Sequence, residues 1–475
     1  MEEQRLRVAV YGIGLEAYWP QFEGLRERLE GYVQEVGARL QKLGAQPVLL
    51  GLVDTPQGGR EAGSACRRAD IDLLFIYVTT YALSSTVLPL VRRAGVPVVV
   101  LNLQPRAAID YASFNRLADR HAMTGEWLAY CSACSVPEIA NVFKRASIPF
   151  HQITGVLDED RTWNEIEDWI SAAAVKNKLG NARVGLLGHY YSGMMDVGTD
   201  ITQLCINFST HAEILEVDEL SSIRAEVTQD AVAARVVEMR EQFAVDADCS
   251  ESELQRAART SIALEHFVER HQLDALAYYY KGSGNEANEE TMSSIILGTS
   301  MLTSRGVPVA GEYEVKNVVA MKIMDCFGAG GSFTEYYAID FVADIVLMGH
   351  DGPGHIAIAE GKTKVKPLTV YHGKVGRGLS VEMSVRNGPV TLLSVVEDAA
   401  GGFKLLAAQG QCEAGPILEI GNTNSRYRFP IGARAFVERW NEQGPAHHCA
   451  VGVGHLAAKL EKLSKLLNLT FHQVC

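Results

Sequence analysis

Four runs early in the chain are apolar on consecutive residues rather than on alternate ones. They are RVAVY at Arg7–Tyr11, PVLLGLV at Pro47–Val53, IDLLFIYV at Ile71–Val78 and VPVVVL at Val96–Leu101. A strand with both faces apolar must be covered on both faces, which is the condition of a parallel sheet between helical layers. Amphipathic stretches such as Trp19–Leu43 lie between the runs. The resulting β-α-β rhythm predicts a doubly wound domain over residues 1–175. GIG at Gly12–Gly14 lacks the remainder of a dinucleotide fingerprint, because Tyr18 and Trp19 stand near the expected helix start, and it reads as a strand-end turn.

A polar stretch, Ser171–Asn181, marks a domain boundary, and the same rhythm then resumes. Strands are expected at Arg183–Leu187, Ala212–Val217, Ala275–Tyr280 and Val307–Ala310. Helices are expected at Asp230–Phe243, Ser250–His271 and Glu290–Ser304. This predicts a second doubly wound domain over 176–327. Beyond Phe327 the runs shorten and are separated by glycines: Asp344–Leu347, Leu368–Tyr371, Val381–Val385, Val390–Val396 and Phe403–Ala408. That spacing predicts an antiparallel β-rich domain over 328–475, closed by helices at Ala433–Asn441 and Leu456–Leu467. The expected fold class is α/β, with two doubly wound parallel-sheet domains followed by a C-terminal antiparallel β-rich domain.

A length of 475 residues suits more than one core. The net charge of −13, with no basic block, argues against nucleic-acid binding, which needs clustered Lys and Arg. No apolar stretch is long enough to span a bilayer, and the N-terminus lacks the apolar region of a signal peptide. The expectation is a cytoplasmic protein whose nine cysteines are reduced. Cys131 and Cys134 have C-x-x-C spacing without a second such pair, which points to a structural role.

Four segments carry candidate chemistry. AGEYEVK places Glu312 after a buried strand and before a helix, where ligands sit in open α/β sheets. In GAGGSFTE, a glycine-rich loop delivers Glu335. VLMGHDG ends an apolar strand on His350. GPAHHC carries His447 and His448, of which at most one is expected to face a given site. A carboxylate at a helix start often serves only the helix dipole, and a histidine at a strand end is often structural. Together they form a mixed oxygen and nitrogen set that suits Mn²⁺, Co²⁺ or Fe²⁺ better than a closed zinc site.

At these segments the chain resembles the L-arabinose isomerase family, part of the L-fucose/L-arabinose isomerase group. The resemblance rests on AGEYEVK, GSFTEYY, VLMGH and GPAHH, and extends weakly through LFIYVTTYALSS and LNLQP. It implies two doubly wound domains and a β domain, and Mn²⁺ held by Glu312, Glu335, His350 and His448. It implies aldose–ketose isomerisation through a cis-enediol, with Glu312 and Glu335 as the acid/base pair. It also implies a homo-oligomer, trimeric or hexameric. Substrate-binding candidates are Glu16 and Gln21 in the first-strand loop, where the family carries a Gln-His pair, and His121, the nearest counterpart of a histidine the family contributes from a neighbouring subunit. Arg428, in the polar loop Gly421–Phe429, is a fourth. Lys316, one turn beyond Glu312, is a candidate partner for a carboxylate. The most direct expectation is L-arabinose to L-ribulose conversion. The alternatives are the same chemistry on L-fucose, D-arabinose or D-galactose, a metal-dependent epimerase or aldolase, and a non-catalytic sugar-binding protein.

Overall fold

The doubly apolar runs fold as the strands they predict. The computed structural model describes residues 5–282, 284–369 and 377–475. Strands β1 (Arg7–Ile13), β2 (Gln46–Val53), β3 (Leu73–Tyr77), β4 (Val98–Gln104) and β5 (Phe150–Val156) form a parallel sheet in the order β2-β1-β3-β4-β5. Every residue of β3 is buried, and each buried Leu, Ile or Phe contributes roughly 1.5–3 kcal/mol. The helix expected over Trp19–Leu43 begins at Leu25 and buries Leu25, Leu29, Val33, Val36 and Leu40, at the three- and four-residue spacing of one helical face. This sheet and its helices form one compact unit, Met1–Asn177, and Lys178–Cys475 forms another. The stretch Ser171–Asn181, expected as a polar boundary, is helical to Gly180. Ala172, Ala173, Val175 and Leu179 give it a buried stripe that its polar residues mask in composition.

The second unit opens with β6 (Arg183–Gly188), β7 (His211–Leu215), β8 (Ala244–Val245), β9 (Ala275–Tyr279) and β10 (Val309–Ala310). Four of them make a parallel sheet in the order β10-β9-β6-β7. The helix expected at Glu290–Ser304 is two, Glu286–Met292 and Ile296–Ser304. Ser293 and Ser294 stand between them, their hydroxyls donating to the Glu290 carbonyl, the local competition that interrupts helices.

The remaining strands are β11 (Gly330–Asp340), β12 (Ile345–His350), β13 (Lys364–Pro367), β14 (Leu379–Glu382), β15 (Gly388–Glu397), β16 (Phe403–Cys412), β17 (Thr423–Arg428), β18 (His448–Val453) and β19 (Thr470–Gln473). Seven pair in the order β15-β18-β11-β12-β17-β16-β19, and β15 also pairs with β16. Six strands therefore close on themselves as an antiparallel barrel, with β19 added in parallel along β16. The strand expected at Leu368–Tyr371 lies earlier, in β13; Val370 and Tyr371 are outside the described residues. β13 and β14 pair with β8, and Val365, Leu368, Leu379 and Val381 join the core of the central α/β layer, so the two later domains share one core.

Two segments expected as loops are strands. Gly421–Phe429 contains β17, and Gly328–Glu335 opens β11. The glycines of the second segment permit the turn into the strand: Gly331 has φ 110°, and a Cβ there would stand 2.7 Å from the Met321 carbonyl oxygen. No helix is long and apolar enough to cross a membrane among the described residues.

Candidate metal centre

Three loops at the carboxyl ends of the central sheet supply one wall of the site. Tyr190 and Tyr191 follow β6, Tyr280 follows β9, and Gly311 and Glu312 follow β10. This is where open parallel sheets bind ligands. Glu312 and Tyr313 both hold left-handed backbone, φ 56° and 60°, at a cost of about 1–3 kcal/mol each for non-glycine residues. Tyr313 N–H donates to the Tyr278 carbonyl at 3.0 Å and Glu314 N–H to the Gly311 carbonyl at 3.0 Å, so the tight turn is held from both sides. It ends directly at the helix Val315–Cys326 and turns Glu312 toward the barrel.

The barrel supplies the opposite wall through register. On β11, Glu335 pairs with His448 of β18 on one side and with Gly349 of β12 on the other, one residue from His350. Phe333, two residues before Glu335, shares its face and packs 4.3 Å from the His350 ring and 4.4 Å from the His448 ring, centroid to centroid. β12 and β17 approach closely at Gly349, where a Cβ would stand 1.8 Å from the Thr423 carbonyl oxygen. That approach lets His350 N–H donate to Thr423 Oγ1 at 3.0 Å, fixing the strand end that carries the imidazole.

The four residues expected as metal ligands converge. His448 Nε2 lies 3.3 Å from Glu312 Oε2, and His350 Nε2 lies 3.8 Å from Glu312 Oε1. Among the described residues, two overlapping groups present ligand atoms within 4.8 Å of one another: Glu312, His447 and His448, and Glu335, His350 and His448. His447 thus joins the site, although only one of the paired histidines was expected to. It precedes the first residue of β18, so strand alternation does not turn it away. Its Nδ1 meets Asp196 at 2.6 Å, and its Nε2 lies 3.6 Å from Glu312 Oε2 and 4.0 Å from Glu335 Oε2.

Donor chemistry fits a divalent cation. Glu312 Oε2 and His448 Nε2 are buried 3.3 Å apart without a well-aligned hydrogen bond, an arrangement that costs free energy unless something else satisfies those atoms. Burial pushes the Glu312 carboxyl up, but the His447, His448 and His350 imidazoles outweigh it and hold it well below the usual range. Burial raises the Glu335 carboxyl, and His448 and His447 only partly offset this. Burial works against charge on His447, yet Glu312 and Asp196 bring its pKa up to about 9.

Behind His448 stands a residue to which the sequence reading gave no role. Glu314 is fully buried. Its Oε2 lies 3.6 Å from His448 Nδ1 and its Oε1 3.6 Å from Lys316 Nζ. Lys316 is itself buried and donates to the carbonyls of Asp196 at 2.9 Å and Gly198 at 2.8 Å. A carboxylate behind a metal-facing imidazole orients the ring and raises its basicity. The visible signal was AGEYEVK itself, which spaces Glu312, Glu314 and Lys316 two apart.

In front of the cluster is a pocket of about 250 Å³ lined by Glu312, Glu335, His350, Asp351, His447 and a wall of Tyr191, Tyr278, Tyr279 and Tyr280 with Met194 and Met292. Among the substrate-binding candidates, Arg428 does not line it. Arg428 sits at the far end of β17, five residues from the Thr423 that meets His350, or about 17 Å along an extended strand. Its guanidinium forks onto Glu413 at 2.5 and 3.0 Å and pairs with Asp344. Glu16, Gln21 and His121 belong to the first unit. Gln21 and His121 line an open depression there with Phe22, on which the His121 ring stacks at 4.9 Å, and the Gln21 amide donates to the Ala17 carbonyl. Glu16 is exposed in a short 3-10 turn, Glu16–Tyr18.

No family model matches the chain, and no curated protein does. Among solved structures, a carbohydrate transporter from Acidothermus cellulolyticus 11B, in complex with myo-inositol, aligns at 11% identity over 68% of this chain and 87% of its own, with a TM-score of 0.17. A periplasmic binding protein from Burkholderia mallei aligns at 9% identity over 62% and 64%, with a TM-score of 0.16. Superpositions this poor bear on neither fold nor function, and the reading of the site rests on its own geometry.

Proposed function

We propose that the protein is a metal-dependent aldose–ketose isomerase, with L-arabinose to L-ribulose as the first reaction to test. The observation that supports this reading is the convergence of Glu312, Glu335, His350 and His448 beside a small pocket, with Glu312 Oε2 and His448 Nε2 buried and not joined by a well-aligned hydrogen bond. Glu312, Glu335, His350 and His448 would hold the cation, Mn²⁺ before Co²⁺ or Fe²⁺. When bound, it would polarise the vicinal oxygens of an open-chain sugar as a Lewis acid.

The chain's own groups supply the proton chemistry. One of Glu312 and Glu335 removes the proton from C2 and returns it to C1, and the other relays the hydroxyl proton. The tyrosine wall binds the sugar and excludes water. Glu314 keeps His448 in the orientation that presents Nε2 to the site. A cytoplasmic homo-oligomer, trimeric or hexameric, belongs to the same proposal.

A second reading, sugar binding without turnover, draws on the same tyrosine-lined pocket but gives the carboxylate pair no task. The experiment that separates the two is a panel of aldoses assayed for ketose with added Mn²⁺, on the wild type and on Glu312→Gln and Glu335→Gln. Isomerisation by the wild type, lost in both folded variants, is the expected result. Ketose formation at near wild-type rate in either variant overturns the mechanism. Calorimetric sugar binding with no ketose from any aldose favours the binding reading.

A further inference from the structure

A second chemical centre lies in the first unit. Cys131 and Cys134 bracket the turn between the helices Arg120–Leu128 and Ser135–Arg145, and their sulfurs lie 2.7 Å apart. Cys131 is buried, whereas Cys134 is exposed at the N-cap of the second helix. We infer that this pair is a redox-active dithiol which closes reversibly to a disulfide when the protein meets a small-molecule disulfide such as oxidised glutathione.

Hydrogen bonds on both sides of the turn hold the two cysteines close together. Thr80 donates to the Leu128 carbonyl at 2.7 Å, just before the turn. Ser135, just after it, accepts from Ala82 N–H at 3.0 Å and donates to the Thr80 carbonyl at 3.3 Å. Within the turn, the Gln104 amide donates to the Ser132 hydroxyl. Val136, Ile139 and Phe143 anchor the second helix in the core. Two sulfurs held this close have already met much of the orientational cost of closure, since a disulfide demands a specific geometry.

The asymmetry in exposure assigns the two roles. An accessible thiol beside a resolving cysteine is the arrangement of a reactive pair. Cys134 loses its proton, and its thiolate attacks one sulfur of the external disulfide, expelling one equivalent of thiol and forming a mixed disulfide. Cys131 then loses its proton to solvent, and its sulfur attacks Cys134 Sγ, breaking the mixed disulfide and releasing the second thiol. Two protein thiols are oxidised by two electrons while one external disulfide becomes two thiols. Burial and the neighbouring Cys134 push the Cys131 thiol up to about 12, consistent with Cys131 acting second.

The test uses the full-length protein equilibrated in buffers of graded reduced-to-oxidised glutathione ratio. Free thiols are blocked with one alkylating label, disulfides are then reduced and labelled with a second, and peptides are mapped by mass spectrometry. Cys131 and Cys134 are expected to exchange labels together, with the loss of two hydrogen masses per chain, and to revert on return to reduced glutathione. Cys131→Ser is expected to accumulate the mixed disulfide at Cys134, and Cys134→Ser to leave Cys131 reduced. The seven other cysteines serve as internal references. Two results in the wild type overturn the inference: both thiols remaining alkylatable across the whole range, or a mixed disulfide persisting at Cys134 while Cys131 stays free.

Discussion

Replacing Glu314 by glutamine tests whether the buried carboxylate behind His448 serves the proposed metal centre. The substitution keeps the volume and removes the charge. Unit charges 3.6 Å apart, the separation of Glu314 from Lys316, attract by roughly 4–5 kcal/mol at an effective dielectric of about 20. Most of that is offset by desolvating groups that are fully buried. What survives is the orienting effect on the ring, about 10–100-fold in metal affinity, or roughly 1.4–2.7 kcal/mol. The fold should persist, because Lys316 keeps its hydrogen bonds to the Asp196 and Gly198 carbonyls. Alanine is the wrong probe here: beyond the same loss of charge it leaves a cavity in a fully buried site, at a further cost of about 2–5 kcal/mol. The assay is Mn²⁺ titration by calorimetry, with circular dichroism and thermal melting as controls. A Glu314→Gln protein that melts like the wild type and binds Mn²⁺ within threefold of it would refute the reasoning, because the carboxylate would then be structural only.

Two further outcomes follow from the same packing. Gly349→Ala places a Cβ 1.8 Å from the Thr423 carbonyl oxygen; the backbone must yield, at about 1–3 kcal/mol or more, and His350 moves with it, so both the melting temperature and Mn²⁺ affinity should fall. His355 is buried among Gly330, Ser332 and Ile358, and burial pushes its imidazole down, more than Asp325 raises it. With the folded pKa below the unfolded one, the unfolded chain takes up a proton first as pH falls through about 6.5, so stability is lost on acidification through that range. Urea midpoints across that range should fall less steeply in His355→Gln, and equal slopes in the two proteins would exclude this histidine as the cause.

The first sheet was legible because its strands are apolar on both faces, and few arrangements besides a parallel sheet bury LLFIY completely. The barrel was half legible. β15 and β16 alternate or run apolar and could be read, whereas β17, TNSRYR, is polar at most positions. What makes it a strand is non-local: its neighbours β12 and β16 satisfy its backbone, and nothing within six residues announces them. Closure of the ring through the β15–β16 pairing is non-local for the same reason.

The site divides along the same line. Glu312, Glu335, His350 and His448 are visible as residue types near glycines and strand ends, but what each does depends on partners far away in sequence. Glu314 shows this most plainly. Two residues from Glu312, it reads as an ordinary acidic residue at the start of a helix, where the dipole alone would explain it. Its burial comes from the barrel strand that brings His448 against it, and Lys316 is buried beside it. The left-handed pair Glu312–Tyr313 belongs to the same arrangement. That strain persists because Tyr278 on one side and Gly311 on the other fix the turn, and the turn in turn directs one carboxylate forward to the pocket and the other back to the imidazole. A relaxed turn would separate these two tasks, so the backbone strain and the buried ion pair are best understood as one device for aiming Glu312 and His448 at the same point.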